Sequence, residues 1–129
     1  MHHDSDCIFC HMDRSKALAE NQSGFVVYDA FPVTNGHSII IPNQHEQDYF
    51  MLPSHIRRDL DELLILAKEH LDAFYGPDGY NIGINNGIAA GQTVAHAHIH
   101  LIPRYFGDTD DPRGGIRWMF PKRANYFKL

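Results

Sequence analysis

Cysteine is scarce in this 129-residue chain, with only Cys7 and Cys10, and tryptophan is scarcer still, with Trp118 alone. Two thiols three positions apart cannot make the dense cross-linking of a small secreted scaffold. In a reducing compartment that spacing suits a metal clip or a redox pair better than a structural bridge. A basic excess is also missing: 11 Lys and Arg stand against 16 Asp and Glu, for a formal net charge of −5. With no basic run to concentrate charge, attraction to long nucleic acid or to an anionic membrane surface is not expected. No segment stays apolar long enough to cross a bilayer, and Met1-His2-His3-Asp4-Ser5-Asp6 lacks the cationic head and apolar stretch of a secretory signal. A soluble, cytoplasmic protein is therefore expected. Repeats, low-complexity tracts and linkers are absent, so residues 1–129 form one expected domain. What the chain does have is a hydrophobic content of 43%, sufficient for one core, and ten histidines, three of them at alternate positions within five residues.

The elements follow from spacing. Lys16 to Glu20 and Phe25 to Tyr28 flank the turn formers Asn21-Gln22-Ser23-Gly24 and read as a hairpin. The β-branched run His37-Ser38-Ile39-Ile40-Ile41, bounded by Asn35-Gly36 and Pro42, predicts a buried strand. Between Ser54 and Tyr75, Ile56, Leu60, Leu63, Leu64, Ala67, Leu71 and Phe74 recur at the i, i+3, i+4 spacing of one helical face. Pro53-Ser54 opens that helix and Gly76-Pro77 closes it. Tyr80 to Asn85 and Val94 to Ile102 predict two more antiparallel strands joined by a loop, and from Gly107 the chain is irregular, ending in the aromatic group Trp118, Phe120, Tyr126 and Phe127. The expected class is α+β: one long helix, about residues 54–75, packed on an antiparallel sheet, with an irregular C-terminal tail.

Secondary structure decides what His96-Ala97-His98-Ile99-His100 means. In a helix, residues two apart are rotated by about 200° and diverge, whereas in a strand they share a face. The flanking Val94, Ile99, Leu101 and Ile102 favour the strand, so three imidazoles should project from one side while Ala97, Ile99 and Leu101 face the core. Such a face could be merely solvated, or could bind one metal through all three rings. The preceding Gly91-Gln92-Thr93 favours catalysis, because it offers neutral donors and a glycine-containing backbone able to cradle an anion. The combination reads as a phosphate site beside a nucleophile, since an imidazole with a pKa near 6.5 is substantially neutral at pH 7 and needs no separate strong base.

The run His-Ala-His-Ile-His-Leu-Ile resembles the signature of the histidine triad superfamily of nucleotide hydrolases and transferases. The resemblance extends over nearly the whole chain, through Cys7-Ile8-Phe9-Cys10, Asp29 ahead of Pro32, Gly36-His37, Ile41-Pro42 leading to His45, and Gly91-Gln92-Thr93. It implies that His98 attacks the α-phosphorus of a nucleotide and forms a nucleotidyl-histidine that water then cleaves. His100 and His37 would place charge around the phosphate, Gln92, Thr93, Gly91 and Asn85 would bind the phosphate or the departing group, and Asp29 would accept from the ribose hydroxyls. Ile8, Phe9 and Val27 resemble an apolar slot for the base, although ordinary core packing would account for them as well. The tail Asp111-Pro112-Arg113-Gly114-Gly115-Ile116-Arg117-Trp118 resembles a bacterial branch nearer to the dinucleoside polyphosphate hydrolases than to the small phosphoramidases. Arg113, Arg117 and Trp118 would there reach polyphosphate or base, or simply pack the tail. A nucleoside phosphoramidase and a nucleotide-binding adaptor with little turnover are the alternatives.

The Cys7 and Cys10 spacing lets two thiolates grip one tetrahedral metal, and two distant histidines would close the shell. The resemblance implies His45 and His96, with His11 a competing ligand, and makes the ion a structural Zn2+ rather than a catalytic one. A redox pair or two plain thiols are the other readings of Cys-x-x-Cys. A homodimer is a further implication.

Overall fold

In the computed structural model, which describes residues 4–126, the chain folds as a five-stranded sheet with one long helix on one face. The strands are β1 (Ala19–Glu20), β2 (Gly24–Tyr28), β3 (Ser38–Pro42), β4 (Gly79–Gly83) and β5 (Ile99–Arg104), in the spatial order β1-β2-β3-β5-β4. Every pairing is antiparallel. The helix α1 (Ser54–Tyr75) has the predicted bounds and ends on Gly76, whose left-handed backbone (φ 55°) lets its N–H return to the Asp72 carbonyl. A short helical turn, α2 (Pro121–Ala124), lies in the tail. Among the described residues no helix is long and apolar enough to cross a membrane.

Hydrophobic periodicity explains the layers. Ile56, Leu60, Leu63, Ala67 and Leu71 of α1 pack on Val26, Ile40, Ile99 and Leu101, the inward residues of three adjacent strands. The sheet's other face carries Phe25, Val27, Ile39 and Ile41 under Phe9, so the N-terminal segment covers the β2–β3 half. Strand β2 comes so close to the helix that a Cβ on Gly24 would lie 2.5 Å from the Ile41 carbonyl oxygen and 2.9 Å from Leu60 Cδ2. The turn before it is pinned as well: Asn21 Oδ1 accepts from the amides of Ser23 and Gly24, and the Ser23 hydroxyl donates to Asp59 on α1.

Several strands are shorter than their sequence patterns. Only Ala19–Glu20 pairs in the first half of the hairpin. Strand β4 stops at Gly83, leaving Asn85 in the following loop, exposed. Strand β5 begins at Ile99 rather than Val94. Pro42, at the end of β3, has no N–H to continue the ladder, and the Ala97 amide donates instead to the Glu46 carbonyl at 2.6 Å. Side-chain alternation persists through this irregular stretch, with Ala97, Ile99 and Leu101 all in the helix-side core. Phe74, expected on the buried face of α1, is exposed and stacks on His70 (centroids 4.5 Å apart). Of the terminal aromatic group, Phe127 lies outside the described residues.

Candidate active site and metal centre

The cross-strand register puts His100 at the centre of the site, opposite Ile39 of β3 and Gly83 of β4. His37 enters from the residue before β3 and places its Nε2 3.0 Å from His100 Nδ1. The Val33 amide donates to His37 Nδ1 (3.1 Å), so the His37 proton must sit on Nε2 and be donated onward to His100 Nδ1. His100 in turn carries its proton on Nε2. Asp29 closes the group: its Oδ2 is 3.4 Å from His37 Nε2 and 3.8 Å from His100 Nδ1, while Oδ1 accepts from the Phe31 amide. Burial pushes the pKa values of His37 and His100 below the ordinary imidazole range. For His100 the neighbouring His98 and His37 add to the effect, and Asp29 opposes it at both.

His98 has the opposite tautomer. Its Nδ1 is 3.0 Å from the His96 carbonyl oxygen, which can only accept, so Nδ1 carries the proton and Nε2 presents a lone pair. The ring is buried, with its neighbours Phe9 and His100 each 5.0 Å away in edge-on contact. The backbone carbonyl two residues upstream thus orients the imidazole and leaves the other nitrogen basic.

His96 is wholly buried and faces elsewhere. Its Nε2 donates to the Pro42 carbonyl (2.8 Å), which turns the Nδ1 lone pair toward Cys7 Sγ (3.4 Å), Cys10 Sγ (3.7 Å) and His45 Nδ1 (3.2 Å). Cys10 Sγ is 3.4 Å from His45 Nδ1, and all four ligand atoms lie within 4.8 Å of one another. Metal–ligand bonds of about 2.0–2.3 Å, tetrahedrally arranged, require ligand separations of about 3.3–3.8 Å, so the donor set fits zinc. His11 is exposed and stands outside this group. Burial raises the pKa of the Cys10 thiol, against the Asp4 amide donating to its sulfur. A divalent cation would displace that proton.

The loop before the histidines differs from expectation. Ala90, Gly91 and Gln92 donate their amides to the carbonyls of Gly87 and Ile88, so these three N–H groups do not form an anion nest. Gly91 is required by its backbone (φ 89°) rather than by close approach, since a Cβ there would meet nothing within 4 Å. Gln92 is buried, and its amide is engaged inside the protein: Oε1 accepts from Gly87, and Nε2 donates to the carbonyls of Gln47 and Val94. Thr93 and Ile8, both exposed, line a cavity of about 380 Å3 beside Cys7 and His45. Phe9 and Val27 belong to the buried cluster beneath the sheet face. Asn86, overlooked in the sequence, ties the loop to residues 48–49: its Oδ1 accepts from the Tyr49 amide and its Nδ2 donates to Asp48. No spacing rule distinguishes it from Asn85. Arg113 pairs with Asp111, and Arg117 donates to the Arg123 carbonyl and lies over the Tyr126 ring, so both pack the tail.

Comparison with known proteins shows the family and the fold. Residues 12–107 match the HIT domain family model. An adenylylsulfatase of Arabidopsis thaliana is 34% identical over 104 residues, covering 78% of this chain and 53% of the relative. An adenosine 5′-monophosphoramidase of Schizosaccharomyces pombe is 34% identical over 102 residues, covering 76% of this chain and 74% of the relative. The crystal structure of a Zn-bound histidine triad family protein from Mycobacterium smegmatis superposes with a TM-score of 0.74 at 30% identity, covering 82% of this chain and 80% of the other.

Proposed function

The chain belongs to the HIT domain family, and on that footing we propose that it is a nucleotide hydrolase or nucleotidyl transferase working through His98. The observation that carries this reading is the division of tautomers: His98 presents a bare Nε2, while His100 beside it presents Nε2–H. One offers a nucleophilic lone pair and the other a hydrogen-bond donor, as attack on a phosphoryl group requires.

In the proposed reaction the His98 Nε2 lone pair forms a bond to the α-phosphorus as the bond from phosphorus to the leaving group breaks. The departing group takes that electron pair and picks up a proton. Water then attacks the same phosphorus, the P–N bond breaks, its pair returns to Nε2, and the water's surplus proton passes to solvent. His100 donates to a non-bridging oxygen, and His37 acts through it by fixing its tautomer. Asp29 accepts from the ribose hydroxyls, a role suited to its half-buried carboxylate at the edge of the group. Thr93, Ile8 and Asn85 offer exposed contacts, Phe9 and Val27 form the floor of the base slot, and Gly91 and Gln92 shape the loop. Zn2+ held by Cys7, Cys10, His45 and His96 would supply a cross-link, and a shell closed by four protein ligands leaves it no position for substrate.

A dinucleoside polyphosphate is the substrate proposed, with a nucleoside phosphoramidate as the second reading. The names of the two enzymatic relatives share an adenosine phosphate and differ in the group attached to it. A homodimer completes the proposal: β4 is an edge strand with Ile82 exposed, and sedimentation equilibrium should give twice the 14.8 kDa chain mass.

The test is quenched-flow capture with α-labelled diadenosine tetraphosphate and adenosine 5′-phosphoramidate. Wild type should accumulate label on His98. His98→Ala should lose both label and turnover while keeping its melting temperature, and equal rates in the two proteins would exclude the mechanism.

A further inference from the structure

The two thiols of the metal cluster are placed for a second chemistry. Both side chains are half-buried, and Cys7 lines the cavity of about 380 Å3 that it shares with Ile8, His45 and Thr93. A small oxidant dissolved in water therefore reaches the Cys7 sulfur without unfolding the N-terminal segment. Cys10 stands beside it: the two sulfurs approach the same His96 Nδ1, at 3.4 and 3.7 Å, and lie within 4.8 Å of each other. Asp4 ties the turn that brings them together, its carbonyl accepting from the Cys7 amide (3.1 Å) and its own amide donating to Cys10 Sγ (3.4 Å). An accessible thiol with a second thiol poised to resolve its oxidised form is the arrangement of a redox-sensitive pair.

What lies between the thiols gives their oxidation a consequence. Two thiolates on one tetrahedral ion sit about 3.8 Å apart, whereas a disulfide holds its sulfurs at about 2.05 Å. Joining them therefore draws the ends of the Cys7–Cys10 turn together by more than about 1 Å, and the two residues between must adapt. Ile8 is 62% exposed and can yield. Phe9 is only 6% exposed: its ring sits in the cluster of Phe25, Val27, Ile39 and Ile41 and touches His96 and His98 edge-on, at 5.7 and 5.0 Å between centroids. In a close-packed cluster a shift of this size cannot be absorbed at Phe9 without changing its contact with the His98 ring.

We propose that Cys7 and Cys10 are an oxidation site, in which hydrogen peroxide, a two-electron oxidant, joins them in a disulfide that breaks the ion's shell and moves Phe9 against the His98 ring. The Cys7 thiolate attacks one peroxide oxygen, the O–O bond breaks, and the products are a Cys7 sulfenic acid and hydroxide. The Cys10 thiolate then attacks the Cys7 sulfur, the S–S bond forms as the S–O bond breaks, and a second hydroxide leaves. Both hydroxides take protons from solvent, so two thiolates are oxidised and one peroxide is reduced to two waters. Only His45 and His96 then remain of the four donors, too few for a closed shell. Disulfide formation and release of the ion are independent of the His98 reading, and the effect on turnover rests on it.

The test treats the zinc-loaded full chain with hydrogen peroxide. Free thiols are counted by alkylation, the new bond is mapped by peptide mass spectrometry, and released zinc is followed with a chromogenic chelator. Because the chain has no cysteine besides Cys7 and Cys10, loss of both thiols identifies this pair. About one zinc should appear per disulfide, and reductant with added zinc should restore both thiols and the bound ion. Imidazole NMR follows His98, with His70, stacked on Phe74 of α1, as the internal control. The His98 signals should shift in the disulfide form and much less in protein that is chelated but kept reduced, while those of His70 stay in place. Turnover should fall roughly tenfold or more in the disulfide form relative to the chelated, reduced protein. Cys10→Ser, lacking the resolving thiol, should stop at a Cys7 sulfenic acid that dimedone traps. The oxidation site is overturned by protein that takes up no zinc, by thiols that survive peroxide, by over-oxidation without a disulfide, or by a disulfide formed with the zinc retained. A disulfide that leaves the His98 signals in place overturns its reach to the active site. Zinc release and shifted His98 signals in a protein with no turnover before oxidation would instead overturn the His98 chemistry and leave the oxidation site standing.

Discussion

A neutral imidazole has one N–H and one lone pair, and its use depends on which nitrogen the protein ties up. Here carbonyl oxygens tie up Nδ1 of His98 and Nε2 of His96, so the two rings present opposite nitrogens to their surroundings, while the Val33 amide sets the His37–His100 pair. Burial lowers the pKa values of His37 and His100, so both stay neutral in the folded protein at a pH where the unfolded chain, with a value near 6.5, takes up protons. Below that pH the unfolded state binds more protons than the native one. Their contribution to stability is therefore fully present above about 6.5 and is lost as pH falls toward the lowered native values. Melting temperatures should decline from pH 7 to pH 5, less steeply in His37→Gln than in wild type; parallel declines would show that His37 is not responsible. His100→Ala should reduce kcat on the order of 100-fold, about 3 kcal/mol, if its Nε2–H acts only in the transition state. Steady-state kinetics against an unchanged melting temperature measure this.

At the scale of elements, the long helix and the β-branched strand were plain from periodicity, because a repeating buried face writes itself into the spacing of Ile56 to Leu71 and of Ile39 to Ile41. The 85–98 segment was not. Its shape depends on single hydrogen bonds to distant backbone, from Gln92 to the Gln47 carbonyl, from the Tyr49 amide to Asn86 and from Ala97 to the Glu46 carbonyl, and no local pattern encodes these. Gln92 illustrates the difference. Read as a phosphate donor, it would be dispensable for folding; as placed, it satisfies three backbone groups. Gln92→Ala should accordingly destabilise the protein by about 1–3 kcal/mol in urea titration, because it strands buried donors and acceptors. An unchanged midpoint would restore the phosphate-contact role.

For the whole molecule, the Cys7–Cys10–His45–His96 cluster gathers the N-terminal segment, the loop after β3 and the approach to β5 at one point, next to His98 across the Phe9 ring. An ion there would hold Phe9 against His96 and His98, and so would support the site without taking part in the reaction. Purified protein should contain about one zinc per chain by elemental analysis. Chelation should lower the melting temperature, yet turnover measured well below that temperature should survive. Loss of turnover from protein that remains folded would make the ion catalytic.

Sequence alone determined the chemical parts and their order: alternating histidines bound to one face by the two-residue strand period, the Cys-x-x-Cys pair, and a helix whose apolar stripe needed a sheet. Only the tertiary structure decided which nitrogen of each ring carries the proton, that His96 turns its Nδ1 to the two thiols while His98 and His100 do not, that His45 rather than His11 joins that cluster, and that Trp118 lines a cavity. The reason is physical. Periodicity is a local property of the chain, whereas the thiol–imidazole cluster and the His37–His100 pair depend on groups brought together from 35 to 89 residues apart by strand pairing and core packing.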